Sequence, residues 1–311
     1  MSMKIALAGN PNSGKTTLFN DLTGSSQYVG NWPGVTVEKK EGRLRSADKA
    51  AGEVTVVDLP GIYSLSPYTL EEVVTRNFLV QERPDVVLNI VDASNLERNL
   101  YLTTQLLEMG LPVVVALNMM DVVSKSGDVV HTEKLAKALG CPVVHTAAVS
   151  GKGTKDAAAR AVQEAGKAAP APLKFSGEIE DALTAIEALL AGNKAAEAAP
   201  RWFAVKLFER DEKARAQLQL SAEALAQIEA LTAKVEKALD DDSESIITSE
   251  RYAQIADILK GAFVRKPRAF TTSDKIDRVV TNRWLGLPIF AAVMFIVYYV
   301  SVSTVGGIVT D

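Results

Sequence analysis

The sequence predicts an α/β fold with a mostly parallel sheet, followed by an all-α segment and a terminal apolar stretch. Over residues 1–166, short apolar runs of strand length alternate with amphipathic stretches, which is typical of a parallel sheet covered by helices on both faces. Residues 178–266 carry three apolar stripes at helical spacing. Residues 284–310 contain no charged side chain and exceed the roughly 20 residues that a helix needs to cross a bilayer. The chain of 311 residues is therefore expected to hold about two domains and a membrane segment.

The first predicted element is a short apolar strand over residues 3–8, and the loop after it carries the most informative motif. Residues 9–16 match G-x-x-x-x-G-K-[ST], a loop that cradles phosphates with backbone N–H groups. A helix is predicted over residues 16–22, so strand, loop and helix follow in the order that the motif requires. Lys15 can reach the β- and γ-phosphates, and the Thr16 hydroxyl can ligate Mg²⁺. The predicted phosphate-binding residues are Gly9, Asn10, Pro11, Asn12, Ser13, Gly14, Lys15, Thr16 and Thr17.

Charge and cysteine content exclude several classes of protein. A formal net charge of −4 provides no overall basic surface, so nucleic acid is not an expected partner. Cys141 is the only cysteine, which excludes an intrachain disulfide and a multi-thiolate zinc site. The first strand begins at once, so we expect no cleavable signal peptide and a cytosolic first domain.

Residues 24–38 are rich in Gly, Ser and Asn and are predicted to form a mobile loop beside the phosphate site. A loop in that position is a candidate switch. A buried strand over residues 53–57 then ends in Asp58-Leu59-Pro60-Gly61. This order places the Asp58 carboxylate at a strand end, where it can hold Mg²⁺ directly or through water.

Three more strands and a final loop complete the α/β part. We predict strands over residues 85–92, 112–118 and 142–146 and helices over residues 95–109 and from Thr154 onward. The second of these strands ends in Asn118-Met119-Met120-Asp121. An amide and a carboxylate three residues apart can read guanine, because the carboxylate accepts from the ring N1–H and the exocyclic amine, which adenine cannot supply.

Taken in order, the phosphate loop, the Asp58 motif and the Asn118 motif resemble the translation-factor-like small GTPases over residues 3–165. More closely, the chain resembles the family of the ferrous-iron transport protein B (FeoB), and Gly30-Asn31-Trp32-Pro33-Gly34-Val35-Thr36 is the most diagnostic segment. The resemblance implies a Ras-like GTPase domain with a six-stranded sheet that binds GTP or GDP with Mg²⁺. It assigns Mg²⁺ to Thr16, Thr36 and Asp58.

The resemblance also places the base and switch contacts. Those residues are Gly34, Val35, Thr36, Asp58, Leu59, Pro60, Gly61, Asn118, Met119, Asp121, Ala147, Ala148 and Val149. One departure is visible, because the last guanine loop usually reads Ser-Ala and here reads Ala147-Ala148. The Ala148 N–H can still meet the guanine carbonyl, but a supporting hydroxyl is absent.

The expected mechanism of GTP hydrolysis differs from that of Ras-type enzymes. Ile62 stands where Ras-type enzymes carry a water-orienting glutamine, and an alkyl side chain cannot orient water. In related GTPases with an Asn-Pro-Asn loop the residue matching Asn12 ligates K⁺, and the carbonyls of Gly30 and Trp32 could complete its shell. We therefore expect K⁺-stimulated hydrolysis. The expected catalytic residues are Asn12, Lys15, Thr36 and Gly61.

The composition changes after the α/β part. Residues 1–166 are assigned to the GTPase domain, and the Ala/Pro/Gly-rich residues 167–177 to a linker. Residues 178–266 are predicted to form a helical bundle, with apolar stripes that begin at Ile179, Leu225 and Tyr252. In the FeoB family this position holds a helical domain thought to bias nucleotide release.

A basic juxtamembrane segment, residues 267–283, precedes a predicted first transmembrane helix over residues 284–310. The positive charges place residues 1–283 in the cytoplasm, at the bacterial cytoplasmic membrane. A single span cannot form the ion path that the family uses, so the chain is either part of a longer transporter or an anchored GTPase.

The leading interpretation is therefore the GTP-hydrolysing cytosolic portion of an Fe²⁺ transporter. A soluble GTPase of ribosome assembly or tRNA modification is the alternative, disfavoured by the acidic balance and the apolar terminus. A nucleotide-gated binding module is a third reading, in which turnover only resets a partner's conformation. The resemblance also implies a small FeoA-like partner and leaves an oligomer open.

Overall fold

The computed structural model describes residues 3–24, 27–45, 53–66, 68–266, 276–277 and 279–301. The chain divides into two compact units, residues 1–265 and 266–311. The first unit contains one large sheet with its covering helices and then a group of further helices. The second unit contains one described helix of regular length.

The strands are β1 (Met3–Gly9), β2 (Gln27–Asn31), β3 (Glu38–Arg43), β4 (Val54–Asp58), β5 (Val86–Asp92), β6 (Val113–Asn118), β7 (Val129–Val130), β8 (Val143–His145) and β9 (Phe263–Val264). The large sheet has the order β2-β3-β4-β1-β5-β6-β8. Strands β4, β1, β5, β6 and β8 run parallel, while β3 is antiparallel to both β2 and β4. The carboxyl ends of the parallel strands therefore meet at one edge, where α/β sheets bind ligands.

The predicted count of six strands is wrong, because the sheet has seven. The extra pairing lies in the segment predicted to be a mobile loop over residues 24–38. Within it, β2 forms an antiparallel hairpin with β3, in register from Gln27 opposite Gly42 to Asn31 opposite Glu38. The sequence of β2 has no alternation of apolar and polar residues, since its side chains lie at an exposed sheet edge. Backbone pairing with β3 determines this strand, and a hydrophobic pattern does not reveal it.

The helices of the α/β part are α1 (Lys15–Thr23), α2 (Leu70–Asn77), α3 (Leu96–Glu108), α4 (Met120–Ser126), α5 (Thr132–Leu139) and α6 (Thr154–Glu164). Strand β6 is buried on both faces, as expected for a central parallel strand with helices above and below. Helix α2 begins with a capping box, in which Thr69 and Glu72 exchange side-chain-to-backbone hydrogen bonds. The other strands and helices predicted in this part are confirmed within two residues at each end.

The remaining helices of the first unit are α7 (Gly177–Leu189), α8 (Pro200–Phe208), α9 (Glu212–Leu218), α10 (Ala222–Leu239) and α11 (Ser243–Ala262). The predicted stripe of α7 is confirmed, because its residues Ile179, Leu183 and Ile186 are all buried. The stripes of α10 and α11 are confirmed only in part. Leu239, at the end of α10, is 48% exposed, and Tyr252 is 41% exposed although its ring stacks on that of Tyr101 in α3, with centroids 5.2 Å apart.

Buried ion pairs join these helices to the α/β part. The Arg251 guanidinium of α11 donates to both carboxylate oxygens of Glu108 on α3, at 3.0 and 2.8 Å, and to Glu209 after α8 at 3.0 Å. Arg76 of α2 donates to both carboxylate oxygens of Asp211, at 2.8 and 3.2 Å. Strand β9 pairs with β7, and one hydrophobic cluster runs through both parts. Both parts therefore share a continuous interior.

In the second unit, helix α12 (Gly286–Val300) has 15 residues, and none of its side chains is buried. Within the described residues no helix has both the length and the apolar character required for crossing a membrane. The transmembrane helix predicted over residues 284–310 is thus not what the described part shows. Residues 302–310 of that prediction, and residues 267–275 and 278 of the basic segment, lie outside the described residues.

Candidate functional site

The phosphate loop connects β1 to α1 and has a tightly determined backbone. Gly14 has φ of 90°, and an added Cβ would lie 2.2 Å from the side-chain nitrogen of Asn118. A Cβ at Gly9 would lie 2.6 Å from the carbonyl oxygen of Ile90. Asn12 also has a positive φ, of 63°, and its side chain is exposed. The two glycines of the motif are thus required by close approaches on both sides of the loop.

Lys15, the first residue of α1, is paired with the carboxylate that ends β4. Its Nζ lies 2.5 Å from Oδ1 of Asp58, and the two side chains are 9% and 7% exposed. Burial raises the pKa of the Asp58 carboxyl above its ordinary value, although the neighbouring Lys15 ammonium opposes that shift. The sequence placed both residues in one site. It did not show that they contact each other, because 43 positions separate them.

The donor set of this edge fits a phosphate chain and a hard divalent cation. Lys15 supplies an ammonium group, and Thr16 and Asp58 supply the hydroxyl and carboxylate oxygens that Mg²⁺ prefers. The hydroxyl of Ser13 is buried without a hydrogen-bond partner in the same loop, so the site holds a polar atom that a ligand could satisfy. These observations support the predicted phosphate and Mg²⁺ site.

Asn118, at the end of β6, connects two loops. Its Nδ2 donates to the carbonyl oxygen of Ser13 in the phosphate loop at 2.8 Å. Its Oδ1 accepts from the backbone N–H of Ala148 at 2.9 Å and from the Thr146 hydroxyl at 3.3 Å. The side chain is only 2% exposed. The Ala148 N–H predicted to meet a guanine carbonyl is therefore engaged with Asn118 in this structure.

The rest of the predicted base site lies on both sides of Asn118. Met119 has φ of 61°, which turns the chain sharply into α4, and Asp121 follows in the first turn of α4 with an exposed side chain. The β8–α6 loop, residues 146–153, closes through two backbone hydrogen bonds between Ala147 and Lys152, at 2.9 and 3.3 Å. Val149 at its tip is 94% exposed. The structure thus brings the predicted Asn118 and Ala148 together and leaves Asp121 open to solvent.

The first switch segment is more ordered than the sequence suggested. Trp32 is buried against Phe78, with ring centroids 5.3 Å apart, and the Lys39 ammonium lies 4.9 Å from its ring centroid. The Trp32 carbonyl oxygen accepts the Val35 N–H at 3.2 Å, and it keeps a second lone pair for a cation. Thr36 is exposed, so its hydroxyl is accessible.

The segment between β4 and α2 contacts the phosphate loop directly. The Ile62 N–H donates to the carbonyl oxygen of Gly9 at 3.2 Å, and a Cβ at Gly61 would lie 3.2 Å from the Cα of Pro11. The Ile62 side chain is 3% exposed. It therefore packs in the hydrophobic core.

Several contacts of this segment were missed by sequence reasoning. The Leu65 N–H donates to Oε1 of the buried Gln105 at 2.6 Å, and the Tyr68 hydroxyl donates to Glu244 at 2.5 Å. The Glu244 carboxylate raises the pKa of Tyr68 to about 12. The partners lie 40 and 176 positions apart, so no local pattern could have revealed these contacts.

Comparison with family models gives two matches. A model described as ferrous iron transport protein B matches residues 3–161, and one described as the FeoB cytosolic helical domain matches residues 175–264. Among curated relatives, the Fe(2+) transporter FeoB of Escherichia coli K12 is 40% identical over 320 aligned residues, covering 98% of this chain. A fusion of Fe(2+) transport protein A with FeoB from Porphyromonas gingivalis is 43% identical over 317 residues, covering 95% of this chain.

Solved structures of NFeoB are also similar to this chain. NFeoB from S. thermophilus bound to mGMPPNP is 43% identical, with a TM-score of 0.75, and covers 86% of this chain and 100% of its own. NFeoB from S. thermophilus bound to GDP·AlF4⁻ and K⁺ is 44% identical, with a TM-score of 0.76, over 83% of this chain and 99% of its own.

This chain spans only part of the length of its curated relatives. The chain spans 39% of the length of the E. coli relative and 36% of the P. gingivalis fusion. The matches run from the first strand through α11, and they include both the phosphate loop and the Asn118 motif. With its sheet order, its phosphate loop and its identity to these relatives, the chain belongs to the ferrous iron transport protein B (FeoB) family.

Proposed function

We propose that this chain binds GTP and GDP and hydrolyses GTP at the edge formed by the phosphate loop, β4 and β6. The observation that carries the proposal is Asn118, whose one side chain joins the phosphate loop to the β8–α6 loop beside it. Related structures are bound to mGMPPNP and to GDP·AlF4⁻ with K⁺, which supports the same ligands here.

Each side chain has a distinct role in this proposal. The phosphate-loop N–H groups and Lys15 hold the phosphates, and Asp121 with Asn118 binds the base. Mg²⁺ would be held by Thr16, Thr36 and Asp58, and when bound it neutralises charge on the β- and γ-phosphates. Thr36 would engage only with the triphosphate, which makes the first switch segment sensitive to hydrolysis.

Guanine recognition provides the decisive experiment. Asp121→Ala removes the acceptor for the base N1–H and amine, and hydrogen bonds to a charged group contribute about 1.5–3 kcal/mol, or roughly ten- to 150-fold in Kd. GDP binding to wild type and variant is measured by titration calorimetry. Val122→Ala, an exposed change on the same helix, serves as the control. Unchanged GDP affinity in Asp121→Ala would contradict the proposal that the guanine base binds at Asp121.

We further propose that K⁺ stimulates hydrolysis. The buried Ile62 leaves no side chain at that position to orient water, so the rate must be raised by other groups, such as a cation that neutralises charge in the transition state. Asn12 in the phosphate loop, with the carbonyls of Gly30 and Trp32, is the proposed shell of the ion. The related structure that holds both GDP·AlF4⁻ and K⁺ supports this assignment.

For the whole protein we propose Fe²⁺ transport at the bacterial cytoplasmic membrane, with residues 1–283 on the cytoplasmic side. The support is that the curated relatives are Fe(2+) transporters of which this chain spans a part. In this proposal residues 178–266 bias nucleotide release, and a FeoA-like protein is a partner, as the fusion relative suggests. Ferrous iron uptake by the full-length protein should then be lost in Lys15→Ala, and uptake equal to wild type would contradict the link to the nucleotide site.

A further inference from the structure

The β8–α6 loop is held from two sides. On one side, Ala148 bonds to Asn118 as described above. On the other side lies Thr154, the first residue of α6, whose side chain is fully buried. Its hydroxyl donates to Oδ2 of Asp21 at 2.5 Å, and the carbonyl oxygen of Gly151 lies 3.0 Å from the same hydroxyl oxygen. One hydroxyl therefore joins the loop to α1.

The turn of the loop faces Asp21 as well. Gly151 has φ of 67°, and a Cβ built there would lie 3.7 and 3.8 Å from the two carboxylate oxygens of Asp21. Gly153 has φ of 74°, and a Cβ there would lie 2.0 Å from the carbonyl oxygen of His145, so the loop closes tightly on its own base. The loop therefore lies against Asp21 through both its backbone at Gly151 and the Thr154 side chain.

Asp21 stands on a helix that already belongs to the nucleotide site. Helix α1 begins at Lys15, directly after the phosphate loop, and Asp21 lies about 9 Å further along its axis. A helix transmits position rigidly over such a distance. The contact between Asp21 and Thr154 therefore fixes the base side of the site relative to the phosphate side.

We propose that Asp21 and Thr154 are positioning residues that hold the β8–α6 loop against the guanine base and thereby set the rate of GDP release. This inference rests on the proposed guanine-nucleotide site. Neither side chain needs to touch the nucleotide. Because Asp21 is exposed, its carboxylate can return to water when the bond is lost, so the fold is retained while the loop gains freedom.

The test measures release of a fluorescent GDP analogue by stopped flow. Thr154→Val and Asp21→Ala each remove the bond, and we expect release about tenfold faster, the usual scale for one hydrogen bond to a charged group. Thr154→Ser keeps the hydroxyl and should release at the wild-type rate. The double variant should be no faster than either single variant, because both changes remove one interaction. Asp156→Asn, which removes a charge from the exposed first turn of α6, is the matched control.

A second nucleotide separates positioning from general loosening. The diphosphate of 2-aminopurine riboside lacks the 6-oxo group that the N–H groups of the loop would meet. Its release should change little in Thr154→Val, while GDP release accelerates. Equal acceleration of both nucleotides, or wild-type GDP release in both Thr154→Val and Asp21→Ala, would overturn the inference. A wild-type chain that binds no GDP would instead overturn the proposed function.

Discussion

At the scale of single residues, the ion pair between Lys15 and Asp58 determines what nucleotide binding must change. Both groups are buried, and each is the counter-ion of the other. A phosphate chain that takes Lys15 leaves the Asp58 carboxylate without its partner, in surroundings where an unpaired charge is unfavourable. A divalent cation near Asp58 would compensate the charge of that carboxylate. Nucleotide affinity is therefore expected to depend strongly on Mg²⁺.

Asp58→Asn tests this dependence. The neutral amide no longer competes for Lys15, so GDP affinity measured in EDTA should rise about five- to tenfold, equivalent to about 1–1.4 kcal/mol. Hydrolysis in Mg²⁺ should fall, since an oxygen donor for the ion is weakened. Fluorescent GDP titrations with and without EDTA provide the measurement. If Asp58→Asn binds GDP less tightly than wild type in EDTA, the ion pair between Lys15 and Asp58 does not compete with GDP binding.

Asn12 provides a second prediction at this scale. If Asn12 ligates K⁺, the steady-state GTPase rate in KCl should exceed the rate in an equal concentration of NaCl, because the smaller Na⁺ does not fit a shell built for K⁺. Asn12→Ala should abolish the difference and leave GDP binding intact. Ile62→Ala, which changes a buried apolar side chain, should leave the ratio of the two rates unchanged. Equal wild-type rates in both salts would make Asn12 a residue that only shapes the loop.

At the scale of elements, Arg251 shows how α11 is joined to α3 and α8. The guanidinium is 1% exposed and contacts two carboxylates, so removing it leaves Glu108 buried without a partner and leaves Glu209 paired with Lys206 alone. Arg251→Met should lower the free energy of unfolding by about 3–5 kcal/mol. Lys260→Met breaks an exposed pair with Asp257 on the same helix and should have little measurable effect. The urea midpoints of both variants are the measurement. Similar midpoints for the two variants would contradict a stabilising role for the Arg251 ion pairs.

Sequence patterns predicted the elements whose residues carry their own signal. The buried runs of β5 and β6 and the stripe of α7 are examples, and all are present. Strand β2 has no such signal, because its pairing with β3 is made by the backbone. The composition of residues 24–38 predicts a mobile loop around Trp32, yet the Trp32 side chain packs on Phe78, which is distant in sequence. The motif residues of the site were predictable, whereas the pairs between them, such as Lys15 with Asp58, were not.

At the scale of the whole molecule, acid should destabilise the fold through its paired carboxylates. Burial alone would raise the pKa of Glu209, but the adjacent Lys206 and Arg251 charges outweigh it and lower the pKa. The pKa of Asp211 is lowered too, since Ala214 and Arg76 hydrogen bonds outweigh its burial. A lowered pKa gives stability that is present above the ordinary value, about 4–4.5, and is lost as pH falls through the lowered one.

The measurement is the urea midpoint between pH 6 and pH 3. We expect it to be nearly constant down to about pH 5 and then to decrease. Glu209→Gln removes one titrating group, so the variant should be less stable at neutral pH and show a shallower decrease in acid. A wild-type midpoint that rises on acidification would contradict the assignment.

The two-residue strand β9 has a mechanical consequence. It follows α11 directly and pairs with β7, where Val129 lies opposite Val264 and Val130 opposite Phe263. The His131 N–H adds a bond to the Ala262 carbonyl oxygen at 2.7 Å. Strand β7 in turn follows α4, the helix whose first turn carries Asp121. A pulling force applied to the chain beyond Arg265 would therefore be borne first by these few backbone bonds, and its tension would reach the base-reading end of the site before it reached the phosphate loop.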